Sequence, residues 1–191
     1  MTSRKQRTTE ALMMHALDLF ERRGYEQTSV ADIAAAAGVT EMTFFRHFPT
    51  KDRVLLDDPY DAALVEAVAS RPQAEQPLFR TVNGLREALS AIPEPGIALV
   101  RRRTRVVAAT PSLRSAAWRN NQRTEDAVSE QLIADGGDPL EARAAVAAVL
   151  AALTTALLWW AGEEDIDLSA ALNRALSVFD REPDREQSHA G

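Results

Sequence analysis

The stretch that decides the fold is TSVADIAAAAGVTEMTFFRHF, residues 28–48. Ser29 followed three residues later by Asp32 is a capping-box pattern, which predicts a short helix that ends near Gly38. Thr40 has a side chain suited to cap a second short helix over residues 41–47. Two short helices joined by a tight glycine turn have the proportions of a helix-turn-helix, whose second helix enters the DNA major groove.

The remainder of the chain is also predicted to be helical, because apolar residues recur at helical spacing and no segment alternates like a strand. Strong helix starts, such as Asp138 followed by Pro139 and Glu141, support this reading. We therefore expect an all-α fold of about nine helices. They are predicted at residues 9–23, 30–37, 41–47, from 51 onward with an interruption near Asp58 and Pro59, then 78–92, 97–107, 111–134, 139–162 and 168–179.

The composition indicates the cellular compartment and the part of the chain that an anionic partner would contact. The chain has 191 residues, 46% of them hydrophobic, and no cysteine, which excludes disulfides, thiolate zinc sites and cysteine nucleophiles and favours the cytoplasm. The first residues lack the apolar segment of a secretory signal. The net charge of −6 is uneven, with +1 in residues 1–53 and −7 in the rest, so an anionic partner is expected to contact the N-terminal third.

Catalytic and membrane-spanning patterns are weak. The three histidines are scattered, and hydrolase, zinc-protease and phosphate-loop motifs are missing, so we expect no enzyme, no metal and no cofactor. Residues 144–162 carry no charge over 19 positions, a length that could span a bilayer, but eight of these residues are alanine. A helix buried within protein is the favoured interpretation, and no membrane partner is expected.

The motifs over residues 28–34, 37–40 and 43–51, with the preceding Leu19-Phe20 and Gly24-Tyr25, closely resemble the DNA-binding signature of the TetR family of one-component transcriptional repressors. The resemblance covers about residues 9–55. It implies an all-helical homodimer with an N-terminal DNA-binding domain and a divergent C-terminal domain that binds a small effector and dimerises through its last two long helices. We accordingly expect a DNA-binding domain at 1–53, a ligand-binding and dimerisation domain at 54–181 and a disordered tail at 182–191.

The resemblance also implies which residues contact double-stranded operator DNA. These are Thr28, Thr40, Glu41, Met42, Thr43, Phe45, Arg46, His47 and Lys51. Met42 stands where the family usually has glycine, and Phe45 replaces a phosphate-contacting tyrosine, so backbone anchoring must use other donors. Glu41 could accept from cytosine N4 or complement the positive N-terminus of its own helix. For Ser29 and Thr50, helix capping is the favoured role.

The basic cluster of residues 4–7 is predicted to be a flexible arm for phosphates or the minor groove, or a solvated tail. The arginines at positions 101, 102, 103 and 105 spread over several helix faces, so most are expected to be solvated and paired with acidic groups.

In the C-terminal half, polar Asn121 and Thr124 interrupt an apolar helix face, and their partners could be neighbouring backbone or a bound effector. The predicted ligand-binding residues are Leu85, Leu89, Trp118, Asn121, Thr124 and Val128. Alanines repeat every four residues from Ala144, a ridge that suits either a dimer seam or a tight intrachain contact. The predicted dimer interface comprises Ala148, Ala152, Ala156, Leu172 and Leu176.

These interpretations combine into a ligand-responsive transcriptional repressor that binds an inverted-repeat operator as a dimer. A small apolar or amphipathic effector is expected to release it by shifting residues 51–56, and the C-terminal half is weakly similar to a branch that binds acyl-CoA-like ligands. The alternative is a helical small-molecule-binding protein without DNA affinity.

Overall fold

The computed structural model describes residues 4–57 and 61–180. Within these ranges the chain is all-α, as predicted, with no strand. The predicted tail at 182–191 and the predicted interruption at Asp58 and Pro59 lie outside the described residues. The helices are α1 (Arg4–Arg23), α2 (Val30–Ala36), α3 (Glu41–His47), α4 (Arg53–Leu56), α5 (Asp61–Ser70), α6 (Pro77–Ser90), α7 (Glu94–Ala109), α8 (Pro111–Ala134), α9 (Pro139–Trp160) and α10 (Leu168–Leu176), followed by a 3-10 turn over Ser177–Phe179.

The first helix is longer than predicted. It begins at Arg4, so the basic cluster of residues 4–7 forms its first turns and the prediction of a flexible arm is wrong. Leu12, Ala16 and Phe20 lie on its buried face, which packs the helix against α2 and α4. The cluster is nonetheless exposed, so its positive charge stays at the surface.

The predicted fourth helix is two helices. Asp57 has an extended backbone, with ψ of 104°, and this ends α4 at Leu56. At the other end, α4 begins at Arg53, two residues later than predicted, and its N-cap residue Asp52 forms no side-chain capping hydrogen bond. The predicted capping role of Thr50 is therefore wrong, because Thr50 contributes only a backbone carbonyl, which accepts from Arg53 N.

Two hydrophobic clusters organise the described residues. The first cluster contains side chains from α1, α2, α3 and α4, together with Val106 of α7 and Leu113 of α8. The N-terminal helices therefore pack directly on the C-terminal ones. The other cluster is built from α5, α6, α8, α9 and α10 around the fully buried Trp160. Ile97 and Val100 of α7 pack against this second cluster, so α7 and α8 contact both clusters and are the structural link between them.

Helix α9 is long and apolar enough to cross a membrane by length and composition. Its Val146, Val149 and Leu153 are buried against neighbouring helices, and α6, α8 and α10 all pack on it. The helix is therefore the central helix of the second cluster, in line with the prediction of a helix buried within protein.

Candidate nucleic-acid interface and ligand cavity

The helix-turn-helix is held by local hydrogen bonds. Ser29 Oγ accepts from Asp32 N at 3.1 Å, and Asp32 Oδ2 accepts from Ser29 N at 2.9 Å, which confirms the predicted capping box. The Ser29 hydroxyl, which donates to Asp32 Oδ2 at 2.6 Å, and the Ser29 N–H hold the pKa of Asp32 below its ordinary value. Gly38 turns the chain with φ of +67°, a region that favours glycine. Thr40 Oγ1 then accepts from Thr43 N at 3.2 Å and caps α3, as predicted.

Most of the predicted DNA-contacting residues share the outer surface of α3. Phe44 is fully buried and fixes the helix, whereas Met42 is 75% exposed and Phe45 is 49% exposed. Glu41 and Arg46 are exposed as well. Burial of Phe44 therefore leaves the opposite face of α3 at the surface, and this face has mixed apolar, acidic and basic character.

Two predicted phosphate contacts are engaged inside the protein. Thr28 is only 1% exposed and its Oγ1 donates to the Gly24 carbonyl at 2.9 Å, so the prediction that it contacts DNA is wrong. Lys51 Nζ donates to the carbonyls of Tyr25 at 2.9 Å and Thr28 at 3.0 Å, and lies 4.0 Å from the Tyr25 ring centroid. These contacts use two of the three ammonium protons and tie the start of α4 to the loop between α1 and α2.

His47 is joined to α1. Its Nδ1 lies 2.8 Å from Thr9 Oγ1, and that hydroxyl is also 3.1 Å from the Lys5 carbonyl. The hydroxyl has one proton: when it donates to Lys5 O the imidazole donates from Nδ1, and when it donates to Nδ1 the neutral ring carries its proton on Nε2. Burial, together with the positive charges of Lys5 and Arg46, lowers the pKa of His47 below its ordinary value.

A cavity of about 350 Å³ lies in the C-terminal half. Four predicted ligand-binding residues line it: Leu89, Trp118, Asn121 and Thr124. The predictions for Leu85 and Val128 are wrong, because both side chains are buried in the second cluster and do not reach the cavity. Its apolar wall includes Leu89, Ile92, Val100, Leu150, Leu153 and Leu157.

Asn121, a polar group of the cavity, has a partner within the protein. Asn121 Nδ2 donates to Thr154 Oγ1 at 2.7 Å, and Thr154 Oγ1 donates to the Leu150 carbonyl at 2.9 Å. The amide therefore bridges α8 and α9 across one side of the cavity. The bridge uses one Nδ2 proton, so Oδ1 and the second N–H of Asn121 are not occupied by it, and only a ligand that takes the bridging N–H must compete with Thr154.

Cavity-lining side chains also hold the C-terminal end of α4. Arg103 of α7 is 7% exposed, and its Nε donates to the Leu55 carbonyl at 2.8 Å. Asn120 of α8 donates to the Leu56 carbonyl at 3.0 Å and accepts from Arg53 Nη1 at 2.9 Å. The last turn of α4 is therefore fastened by two residues that form part of the cavity wall.

The other arginines of α7 are also engaged. Arg102 pairs with Asp18 at 2.6 Å and Glu21 at 2.5 Å, which links α7 to α1. Arg105 Nε donates to the Ala161 carbonyl at 2.7 Å. The prediction of carboxylate pairing holds for Arg102, but Arg103 is buried and donates to backbone carbonyls, and this was missed because an arginine run gives no signal of burial.

The predicted dimer interface divides between core and surface. Ala148 is exposed and Ala152 is half-buried. Ala156, Leu172 and Leu176 are buried within their own chain, so the prediction that they face a partner is wrong. The exposed face of α9 instead carries small side chains at Ala144, Ala148, Ala151 and Thr155, and ends at Trp159.

Comparisons with known proteins agree with this architecture. Residues 12–57 match the bacterial regulatory proteins of the tetR family, and residues 79–182 match the MftR C-terminal domain. The solved structure of NalD, the secondary repressor of the MexAB-OprM multidrug efflux pump in Pseudomonas aeruginosa, superposes with a TM-score of 0.56 at 23% identity, covering 91% of this chain and 94% of NalD. That likeness supports the fold.

Two relatives align over most of the chain. The transcriptional regulator TcmR of Streptomyces glaucescens is 33% identical over 142 residues, which are 71% of this chain and 63% of TcmR. MftR of Mycobacterium tuberculosis, named as a mycofactocin biosynthesis transcriptional regulator, is 27% identical over 185 residues, 89% of this chain and 88% of MftR. Because the helix-turn-helix match is joined to a C-terminal match over more than half of the chain, the chain belongs to the TetR family of transcriptional regulators.

Proposed function

We propose that the protein is a cytoplasmic, dimeric repressor that binds an inverted-repeat operator through α3 and is released by a small apolar or amphipathic effector. The observation that carries the proposal is that Arg103 and Asn120 each have two contacts at once. Both line the ligand cavity and both hold the end of α4, the helix that follows the helix-turn-helix. A ligand in the cavity therefore acts on the side chains that position the DNA-binding helices.

For DNA contact, the proposal assigns base recognition to the N-terminal turn of α3. Glu41, Met42 and Thr43 lie there, with Arg46 one turn further along the helix. The carboxylate of Glu41 suits cytosine N4, and Arg46 suits a phosphate or a guanine. Phe45 lacks the hydroxyl of a tyrosine, so it contributes apolar contact only, and the phosphates are bound by Arg46, His47 and the basic first turn of α1.

For release, a ligand must bind one arrangement of the DNA-binding helices better than the other. Arg102 and Arg103 are adjacent on α7, and they contact α1 and α4 respectively. A displacement of α7 by a ligand is thus transmitted to two helices of the DNA-binding region. A coupling free energy of about 1–3 kcal/mol is typical of such systems.

The test is a mobility shift with duplex DNA from the region that flanks the gene. The wild-type protein is expected to bind specifically, and Glu41→Ala and Thr43→Ala are expected to change the preferred base at particular positions, each by about 1–3 kcal/mol. Unchanged base preference in both variants contradicts base recognition by α3. Failure of the folded wild-type protein to bind any duplex supports the alternative, a helical small-molecule-binding protein without DNA affinity.

A further inference from the structure

The charged side chains that line the cavity are all positive among the described residues. Among the described residues that line the cavity, the charged ones are Arg103 and Arg114, and none is a carboxylate. The remaining surface is mostly apolar, with the hydroxyl and amide groups of residues such as Thr104 and Asn121. Fixed positive charge in an apolar enclosure favours a ligand that combines an apolar body with a negative group.

Arg103 is the buried member of this pair. Its Nε and Nη2 both donate to the Leu55 carbonyl, and Nη2 also lies 3.4 Å from the Asp57 carbonyl. The Asp57 carboxylate also attracts Arg103 electrostatically, but the hydrogen bonds described above go to neutral carbonyl oxygens. A carboxylate forms shorter and stronger hydrogen bonds with a guanidinium than a carbonyl does. An anion that reaches Arg103 therefore competes with the end of α4 for the same N–H groups.

We propose that the cavity binds an amphipathic monocarboxylic acid, with the carboxylate on Arg103 and the apolar body against the leucine-lined wall, and that this contact draws Arg103 away from the Leu55 carbonyl. The inference rests on the proposed function only in treating α4 as the helix that carries the signal. Asn120 still holds the Leu56 carbonyl, so α4 loosens at its last turn without separating from the C-terminal helices.

Arg114 has a different place in the proposal. It is exposed, and its Nη1 donates to the Ala108 carbonyl at 2.7 Å. Its charge is therefore at the solvent side of the cavity, next to Trp118, which is 64% exposed. Solvent weakens an interaction with an exposed charge, so Arg114 attracts an entering anion and Arg103 supplies the selectivity.

The experiment compares decanoic acid with 1-decanol, two probes with the same chain length and different head groups, below the concentrations at which either aggregates. At neutral pH the acid is ionised. Calorimetric titration of the wild-type protein is expected to give affinity about tenfold or more higher for decanoate, because charged hydrogen bonds exceed neutral ones. Equal affinity for the two probes, or no binding of either, overturns the proposal.

Arg103→Met tests the residue, and Arg105→Met is the matched control. Arg105 lies on the same helix and its Nε also donates to a carbonyl, that of Ala161, but it does not line the cavity. We expect Arg103→Met to bring the two affinities within about threefold of each other, and Arg105→Met to keep the preference. Retention of the preference in Arg103→Met overturns the assignment.

A second measurement uses only wild-type protein, in case Arg103→Met does not fold. Saturating decanoate is expected to speed amide hydrogen exchange over residues 53–57, whereas saturating decanol leaves it unchanged. Unchanged exchange with decanoate overturns the proposed competition for Leu55. Decanoate that binds through Arg103 and loosens α4 yet leaves DNA affinity unaltered supports this inference and contradicts the proposed release mechanism.

Discussion

At the residue scale, the ammonium group of Lys51 could serve one of two roles: hydrogen bonding within the protein or contact with a DNA phosphate. Its Nζ is held by the carbonyls of Tyr25 and Thr28, and the same group was predicted from the family resemblance to contact phosphate. Arg46 offers the comparison, because its side chain is exposed on α3. We therefore propose that Lys51 is a stabilising cation and Arg46 a DNA-contacting cation.

We expect Lys51→Met to lower the free energy of unfolding by about 1–3 kcal/mol, since it removes two charged hydrogen bonds and a cation–π contact. Urea unfolding followed by circular dichroism measures this. Arg46→Met is expected to change stability by less than about 0.5 kcal/mol. It should instead reduce the dependence of DNA affinity on salt by about one ion per subunit. If Lys51→Met is as stable as the wild type and shows the reduced salt dependence of DNA affinity, then Lys51 contacts a phosphate instead.

Through His47, DNA affinity is expected to depend on pH. In the tautomer that donates from Nδ1 to Thr9, the neutral ring has an unprotonated Nε2, which cannot donate to a phosphate, whereas the protonated ring can. In the protein without DNA, the pKa of His47 lies below its ordinary value. A nearby phosphate raises this pKa, because it stabilises the protonated ring, so DNA binding is coupled to uptake of a proton. DNA affinity therefore increases as the pH falls through the pKa that His47 has in the complex. We expect DNA affinity to rise below neutral pH in the wild type. In His47→Gln that rise should be absent, and an identical rise in the variant refutes the role.

The residues that the sequence predicted correctly are those whose partners are three positions away. Ser29 with Asp32, and Thr40 with Thr43, belong to one helix end, so their geometry follows from helix start rules. Arg103 pairs with a residue 48 positions away, and burial of Thr28 depends on the packing of neighbouring helices. Periodicity contains no information on such distant contacts, so the prediction that most arginines of this run are solvated did not identify Arg103 as the buried one.

At the element scale, the crossing of α5 and α6 requires glycine. A Cβ added to Gly84 would lie 2.7 Å from Val68 Cα and 2.9 Å from Val68 N, which are backbone atoms that cannot rotate away. Arg80, also on α6, donates to the Val68 carbonyl at 3.1 Å and reinforces the contact. The two helices are thus held at a separation that only a missing side chain permits.

Gly84→Ala is therefore expected to destabilise the protein by about 1–3 kcal/mol through overpacking, net of the roughly 1 kcal/mol that alanine contributes to helix formation. Chemical denaturation of the variant gives the value. Glu87→Ala on the same helix is the control, because Glu87 is 65% exposed and its one ion pair is 3.9 Å long. A Gly84→Ala protein as stable as the control would mean that α5 and α6 are farther apart than described.

Element boundaries were predicted well where caps are local and less well at α4. The starts of α2, α3, α8, α9 and α10 agree with the predicted ones. Helix α4 ends at Leu56, close to the interruption predicted near Asp58 and Pro59, and Arg103 and Asn120 bind its last carbonyls from other helices. No pattern within residues 51–57 could indicate those two contacts, since Arg103 and Asn120 lie far along the chain.

At the scale of the whole molecule, the exposed face of α9 is the surface that we propose for dimerisation. Small side chains at Ala144, Ala148 and Ala151 allow close approach of a second helix, and Trp159 adds an exposed aromatic group at the end of the face. Arg174 of α10 lies 5.9 Å from the Trp159 ring centroid, so α10 borders the same surface. A twofold arrangement lets this face pair with itself.

Ala148→Glu is expected to convert the dimer to a monomer at micromolar concentration, because it places unpaired carboxylates in an apolar interface. Light scattering reports the mass. Ala127→Glu, at an exposed position of α8, is the matched control and should remain dimeric. A monomeric wild-type protein, or a dimeric Ala148→Glu variant, contradicts the proposed interface.

The central claim, that two copies of α3 contact DNA together, is tested most directly by selecting duplexes from a random DNA library with the purified wild-type protein. The account predicts that the enriched sequences are inverted repeats whose half-sites are about 34 Å apart, one helical turn of DNA, as set by a twofold dimer. Enrichment of a single half-site, or no enrichment over the starting library, would contradict it.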